Sequence, residues 1–154
     1  KKVNIIYRNY KYNYNLKTIK AIKDICRKYK RKFYIANNLH LALELNLDGI
    51  YIPSFNKSLK IRYVSKKNFE ILGSAHNFKE IYFKKKQGIN KIFISPIFEV
   101  MKTNKYLGVI KYNLLSKYAY NENIALGGIN KNNFKKIKMV NCSGFAGIKY
   151  FKNG

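Results

Sequence analysis

Short apolar runs alternate with helix-compatible segments along the whole 154-residue chain, and this alternation restricts the fold more than any single motif. The run Ile124-Ala125-Leu126 shows the type. It is continuously apolar, as a parallel strand covered on both faces reads, where a half-buried strand would alternate. Strands of this kind are expected at 2–7, 33–36, 48–52, 69–74, 91–95, 124–126 and 144–148. Between them lie six segments with helical signals. Asn15 caps the first, which runs to about Tyr29 with Leu16, Ile19, Ala21, Ile22, Ile25 and Cys26 at helical spacing. Asn37 or Asn38 caps a brief second helix, and a weak helix is expected in the basic stretch 57–67. Helices follow at 77–87, closed by Gly88, then at 109–120 and 131–139.

Strands and helices in strict alternation imply a parallel α/β fold, either an open doubly wound sheet or a closed barrel. Arg8, Asn37, Ser74, Ser95 and Gly127 each end a strand. In a barrel all of them share the C-terminal face, where sites are built. The fold class expected is therefore α/β, a TIM (β/α)8 barrel with its first βα unit missing from this chain. Residues 1–154 form a single domain, and the missing unit is expected before Lys1, since the chain begins with Lys and not Met.

Two strand ends carry glycines: Leu126-Gly127-Gly128-Ile129, and one strand later Gly144-Phe145-Ala146-Gly147-Ile148. Glycine brings backbone N–H groups close to an anion, and a helix starting at Lys131 would add its positive end. The pair is a candidate phosphate cradle. Close helix–strand packing is the plainer account of the glycines, and phosphate binding is preferred to it.

Charge bears on the partner. Lys and Arg number 32 against 7 acidic residues, a net charge of +25. The lysines are spread over nearly every segment and form no stripe, so phosphorylated small molecules are the expected partners and nucleic acid is not. No apolar run reaches membrane-spanning length, so no membrane partner is expected. Cys26 and Cys142 follow no metal or redox spacing, which suits reduced thiols in the cytoplasm. With two histidines there is little material for zinc.

In this order the strand-end residues resemble the thiamine-phosphate synthase and TenI family, a compact TIM barrel, from that family's second strand onward. Asp48-Gly49-Ile50-Tyr51-Ile52 is similar to its Asp-Gly-Val-His-Leu, and Ser74-Ala75-His76-Asn77 to its Ser-Thr/Ala-His-Asn turn. Ser95-Pro96-Ile97-Phe98 resembles Gly-Pro-Val-Phe, with a Thr/Lys-bearing loop after it at 101–106. Leu126-Gly127-Gly128-Ile129 matches Ile-Gly-Gly-Ile, and Gly144–Ile148 matches Gly-Val-Ala-Val-Val.

The resemblance implies a transferase of thiamine biosynthesis, which joins a pyrimidine diphosphate to a thiazole phosphate and releases pyrophosphate. It implies that Arg8 holds the diphosphate and that Lys102 or Lys105 takes the role of the family's loop lysine. Gly127, Gly128, Gly147 and Ile148 would give backbone donors to the thiazole phosphate, with Lys149 in reach, and Ser74 would face the substrate rings. The partners implied are the phosphorylated pyrimidine and thiazole precursors and a second copy in a homodimer. Magnesium is the implied cofactor.

Departures from the family pattern are equally specific. Its Gln-x-Arg-x-Lys is Ile6-Tyr7-Arg8-Asn9-Tyr10 here, and both metal carboxylates are replaced, by Asn37 and Asn56. Neutral amides can ligate magnesium, so these two remain the candidate metal ligands. The TenI branch uses a histidine where Pro96 stands, so tautomerase chemistry is not expected. The alternative is a non-catalytic or differently reacting TenI-like protein that binds thiamine phosphate or a related metabolite. His76 reads as a rim residue, Ser74 as a hydrogen-bonding group, and Lys84-Lys85-Lys86 and Lys135-Lys136 as solvated helix faces.

Overall fold

The computed structural model describes residues 3–10, 14–100, 104–119 and 122–152, with the side chains of 149 and 152 excepted. Its strands are β1 (Ile5–Tyr7), β2 (Phe33–Ala36), β3 (Gly49–Ile52), β4 (Glu70–Ala75), β5 (Lys91–Ile94), β6 (Glu122–Leu126) and β7 (Gly144–Ala146). All neighbours pair in parallel, and the sheet order is the chain order from β1 to β7. Among the described residues five α-helices accompany them: α1 (Leu16–Lys28), α2 (Leu39–Glu44), α3 (Phe78–Lys86), α4 (Gly108–Ser116) and α5 (Lys149–Lys152).

Asparagine side chains start three of these helices. Asn15 accepts from the Thr18 N–H, Asn38 from Leu41 and Asn77 from Glu80, each satisfying a donor the helix leaves unpaired. Two expected helices are tighter and shorter than the sequence suggests. The basic stretch holds only the 3-10 turn Leu59–Tyr63, and the segment after β6 holds only the 3-10 turn Phe134–Met139. In the second case Asn130 and Asn133 explain the difference. Asn130 Oδ1 accepts from the N–H groups of Asn132 and Asn133, and Asn133 Oδ1 from that of Asn130, which spends the first turn on side-chain loops. The apolar stripe of α1 is also narrower than expected. Ile19 and Cys26 are buried, whereas Leu16, Ala21 and Ile25 face solvent.

Alternation along each strand divides the core between the two faces of the sheet. Phe33, Ile35, Ile50, Ile52 and Ile71 point outward under α1 and α2, joined by Ile19, Cys26, Leu41 and Ala42. Ile92, Ile94 and Ala125 point outward under α3 and α4, against Ile81 and Tyr112. Tyr34, Ala36, Tyr51, Leu72 and Phe93 point inward and meet Ile6, Ile124, Leu126 and Ala146. Residues of the first and last strands thus share one inner cluster. No described residue pairs β1 with β7, so the sheet is open along that line. This openness corrects the reading of 124–126 as fully buried: only Ala125 is, and Ile124 and Leu126 are half-buried on the inner face near the gap.

Candidate functional site

Strand register decides which strand-end residues meet. Tyr7 is level with Ile35, and Ala36 with Tyr51, so Arg8 at the next position lies across the small Ala36 from Tyr51. Tyr51 is level with Leu72, which puts Ser74 diagonally beyond it on the inner face. Ser74 and Arg8 both lie close enough to the Tyr51 hydroxyl to act on it. Burial raises the pKa of Tyr51, against the pull of Ser74 and of Arg8, and the phenol stays protonated as a neutral hinge between them. Its ring packs edge-on against Phe93 at 5.5 Å. The exposed Arg8 also stands 5.7 Å from the Tyr10 ring centroid, and burial pushes the Tyr10 hydroxyl up to about 12. Reading the sequence as Asp-Gly-Ile-Tyr-Ile missed Tyr51 as a site residue. Its inward parity within β3 was the available signal.

The two glycine turns come together. Phe134, Phe145 and Tyr150 form an aromatic cluster with centroids 4.8 to 5.1 Å apart, which ties the end of β7 to the segment after β6. A Cβ on Gly147 would stand 3.8 Å from the carbonyl oxygen of Ile129. Gly127 (φ 95°) and Gly128 (φ 72°) lie in the left-handed region. A Cβ on Gly128 would be 2.4 Å from the carbonyl oxygens of Phe98 and Glu99, and one on Gly127 2.8 Å from Pro96. Close packing on the 96–99 segment therefore demands both glycines by itself. The same conformation turns the chain at the end of β6, next to the end of β7. The expected helix end behind Gly128 is replaced by the Asn130–Asn133 turn, so no α-helix dipole contributes there.

Asn37 and Asn56 also meet. Asn37 (φ 57°) closes β2, and its side-chain oxygen accepts from Asn56 Nδ2 at 2.6 Å. Asn56 Oδ1 accepts from the Ser58 N–H at 2.8 Å. Behind this loop Lys84, fully buried on α3, donates to the carbonyl oxygens of Pro53 (2.8 Å) and Asn56 (3.1 Å) and to Gln87 Oε1 (2.8 Å). Gln87 Nε2 donates in turn to Asn56 O and Ser58 O. Lys84 thus corrects the expectation that the 84–86 run is a solvated face. Its spacing of three from Ile81 marked the inward side of α3.

The amide pair does not fit a magnesium ion. Both side-chain oxygens are already engaged, no carboxylate cluster among the described residues neutralises the position, and an ammonium lies directly behind. No cluster of three His, Cys, Asp or Glu exists among the described residues.

Other expected residues take their places around this face. His76 Nδ1 is 2.8 Å from the Ser95 carbonyl and 3.2 Å from Ser95 Oγ, and its N–H is held by Glu80, as suits a rim residue. Lys105 is exposed on the loop after Phe98. Lys102 lies outside the described residues, as does the side chain of Lys149. Inside the sheet a cavity of about 850 Å³ opens at the gap, lined by Arg8, Tyr51 and Phe93 on one side and by Ile124, Gly147 and Ile148 on the other.

Known proteins resemble this chain in sequence and in fold. The family model described as thiamine monophosphate synthase matches residues 3–151. The chain is 33% identical over 133 residues to the thiamine-phosphate synthase of Prochlorococcus marinus (strain AS9601), covering 77% of this chain and 37% of that protein. It is 30% identical over 140 residues to the putative thiamine-phosphate synthase 2 of Aquifex aeolicus (strain VF5), covering 88% and 74%. In three dimensions it is similar to thiamine phosphate pyrophosphorylase from Pyrococcus furiosus, with a TM-score of 0.74 at 20% identity over 86% of this chain and 64% of that one. The chain spans only 36–37% of the length of the Prochlorococcus relatives it matches.

Proposed function

The chain belongs to the thiamine monophosphate synthase family, and on that premise we propose that the complete protein is a thiamine-phosphate synthase-like transferase. It joins a pyrimidine diphosphate to a thiazole phosphate and releases pyrophosphate. One observation carries this reading: Arg8 and the Gly147-Ile148 turn line one cavity. An arginine suited to a diphosphate and a glycine turn whose backbone N–H groups suit a phosphate thus border the same space.

In this reading the N–H groups of Gly127, Gly128, Gly147 and Ile148 hold the thiazole phosphate. Tyr51 orients Arg8 toward the diphosphate and Ser74 toward the rings between. Lys102 or Lys105 takes the role of the family's loop lysine toward the departing pyrophosphate, and Lys149 is in reach of the thiazole phosphate. Fixed donors aimed at the departing charge lower the barrier because they need no reorganisation. No step is assigned to magnesium at Asn37 and Asn56. The gap between β1 and β7 is the place of the strand that would close a (β/α)8 barrel, with 1–154 as one domain. A homodimer acting in the cytoplasm completes the reading.

The test uses the full-length protein, both precursors and magnesium. Formation of thiamine phosphate is expected, and its absence overturns the transferase. Calorimetry with thiamine phosphate then separates the remaining cases: binding without turnover leaves a binding protein of this family, and no binding removes both readings. Light scattering checks the dimer.

A further inference from the structure

A second cavity, of about 500 Å³, opens at the opposite end of the sheet, where β2, β3 and β4 begin. It is walled by the last turns of α1, by Arg31 and Lys32 ahead of β2, and by the turns at 46–48 and 66–68. Seven of its lining residues are cationic: Lys23, Arg27, Lys30, Arg31, Lys32, Lys66 and Lys67. Asp48 is the one acidic residue in the lining, and its Oδ2 already accepts from the Phe33 N–H at 2.8 Å. Lys32 is paired with Glu70, and Lys66 with the Asn46 side chain. Lys23, Arg27, Lys30, Arg31 and Lys67 have no ion pair with a described carboxylate.

The fold creates this cluster. Positions 23–32 and 66–67 are far apart in the chain and meet only because β2, β3 and β4 are neighbours. It corrects the expectation that the basic residues stay diffuse. The carboxyl end of α1 accounts for part of the charge, since a helix end is worth about half a negative charge. The rest repel one another across a concave space, where the field of like charges adds up. Such a basin is stable when an anion fills it.

The lining also limits what that anion is. Phe33, at the floor, is 1% exposed, and the Phe69 ring beside the rim is capped by the Lys66 ammonium at 5.5 Å. Within the lining no aromatic face is open for a base to stack on, as single-stranded nucleic acid requires. Guanidinium and ammonium groups around a small basin suit dense phosphate charge instead. We propose that this basin is a binding site for a compact polyphosphate, separate from the transferase site and independent of its reading.

Calorimetric titration of the full chain with inorganic tripolyphosphate tests the proposal. One saturable site per chain is expected. The Arg27→Gln/Arg31→Gln/Lys67→Gln variant should weaken binding at least tenfold. A control that removes the same charge elsewhere, Lys135→Gln/Lys136→Gln/Lys138→Gln, should stay within about twofold of the parent, about 0.4 kcal/mol. Equal weakening in both variants, or no saturation, overturns the proposal. So does tighter, basin-dependent binding of a single-stranded oligonucleotide, which would make nucleic acid the occupant. Should the basin variant not fold, hydrogen exchange on the parent decides. Tripolyphosphate must protect 26–32, 46–48 and 66–68, and protection confined to other segments overturns the site.

Discussion

Asn56 donates its side-chain amide to the side-chain oxygen of Asn37 at 2.6 Å, across the ends of β3 and β2. The two residues expected from the family resemblance to replace metal carboxylates therefore hold each other. Lys84 and Gln87 fasten the same loop from behind through its carbonyl oxygens. The loop is thus organised by amides and a buried ammonium.

It follows that magnesium should not stabilise this protein. Its melting temperature is expected to be unchanged by added magnesium chloride. The Asn37→Asp/Asn56→Asp variant should be less stable without metal, because two carboxylates would face each other. Magnesium at about a hundredfold excess over its Kd should return about 2.7 kcal/mol to that variant. A magnesium-dependent rise in the parent itself, read by thermal shift, would contradict the pairing.

Lys84 sets a pH signature. Burial pulls its ammonium down from 10.5 to about 8, with Lys57 acting in the same direction and Glu80 against it. The unfolded chain therefore holds more protons than the folded one between pH 8 and 10.5, and the Lys84 contribution to stability rises with pH across that window. Below about pH 8 that contribution is lost. Lys84→Met should flatten the rise. At neutral pH it should also cost roughly 1–3 kcal/mol, since Pro53 O and Gln87 Oε1 lose their donor. Urea unfolding of both proteins from pH 7 to 10.5 measures the two effects together.

The glycine turns make a paired prediction. Gly128→Ala should cost at least about 2 kcal/mol, because the new methyl meets two backbone oxygens that cannot step aside. Gly108 also has positive φ, at 66°, but nothing lies within 4 Å of its Cβ position. Gly108→Ala should cost only the left-handed backbone term, about 1 kcal/mol. Equal destabilisation in chemical unfolding would refute the packing account.

Tyr51→Phe isolates the inner hinge. The ring and its contact with Phe93 remain, so stability should fall by no more than about 1 kcal/mol. The hydroxyl on which Arg8 and Ser74 both act is lost. Affinity for the pyrimidine diphosphate should drop roughly five- to tenfold by calorimetry, the equivalent of about 1–1.4 kcal/mol. Unchanged affinity would remove Tyr51 from the site.

The elements that the sequence foretold well depend on local chemistry. Continuous apolar runs located the strands, and Asn15, Asn38 and Asn77 marked helix starts through bonds to N–H groups three residues away. Prediction weakened where local signals competed. The Asn130–Asn133 turn displaced a helix that apolar spacing alone would allow. The β1–β7 gap left Ile124 and Leu126 half-buried although their run reads as fully buried.

The sequence by itself thus determined the parallel α/β class, the order of the strand ends and the family, because periodicity, capping and motif order are properties of neighbouring residues. Only the tertiary structure decided that Tyr51 joins Arg8 to Ser74, that Asn37 and Asn56 satisfy each other, that Lys84 turns inward, and that a basic basin exists. Each of these joins residues brought together by strand register and helix packing, and no local preference of the chain encodes such a meeting.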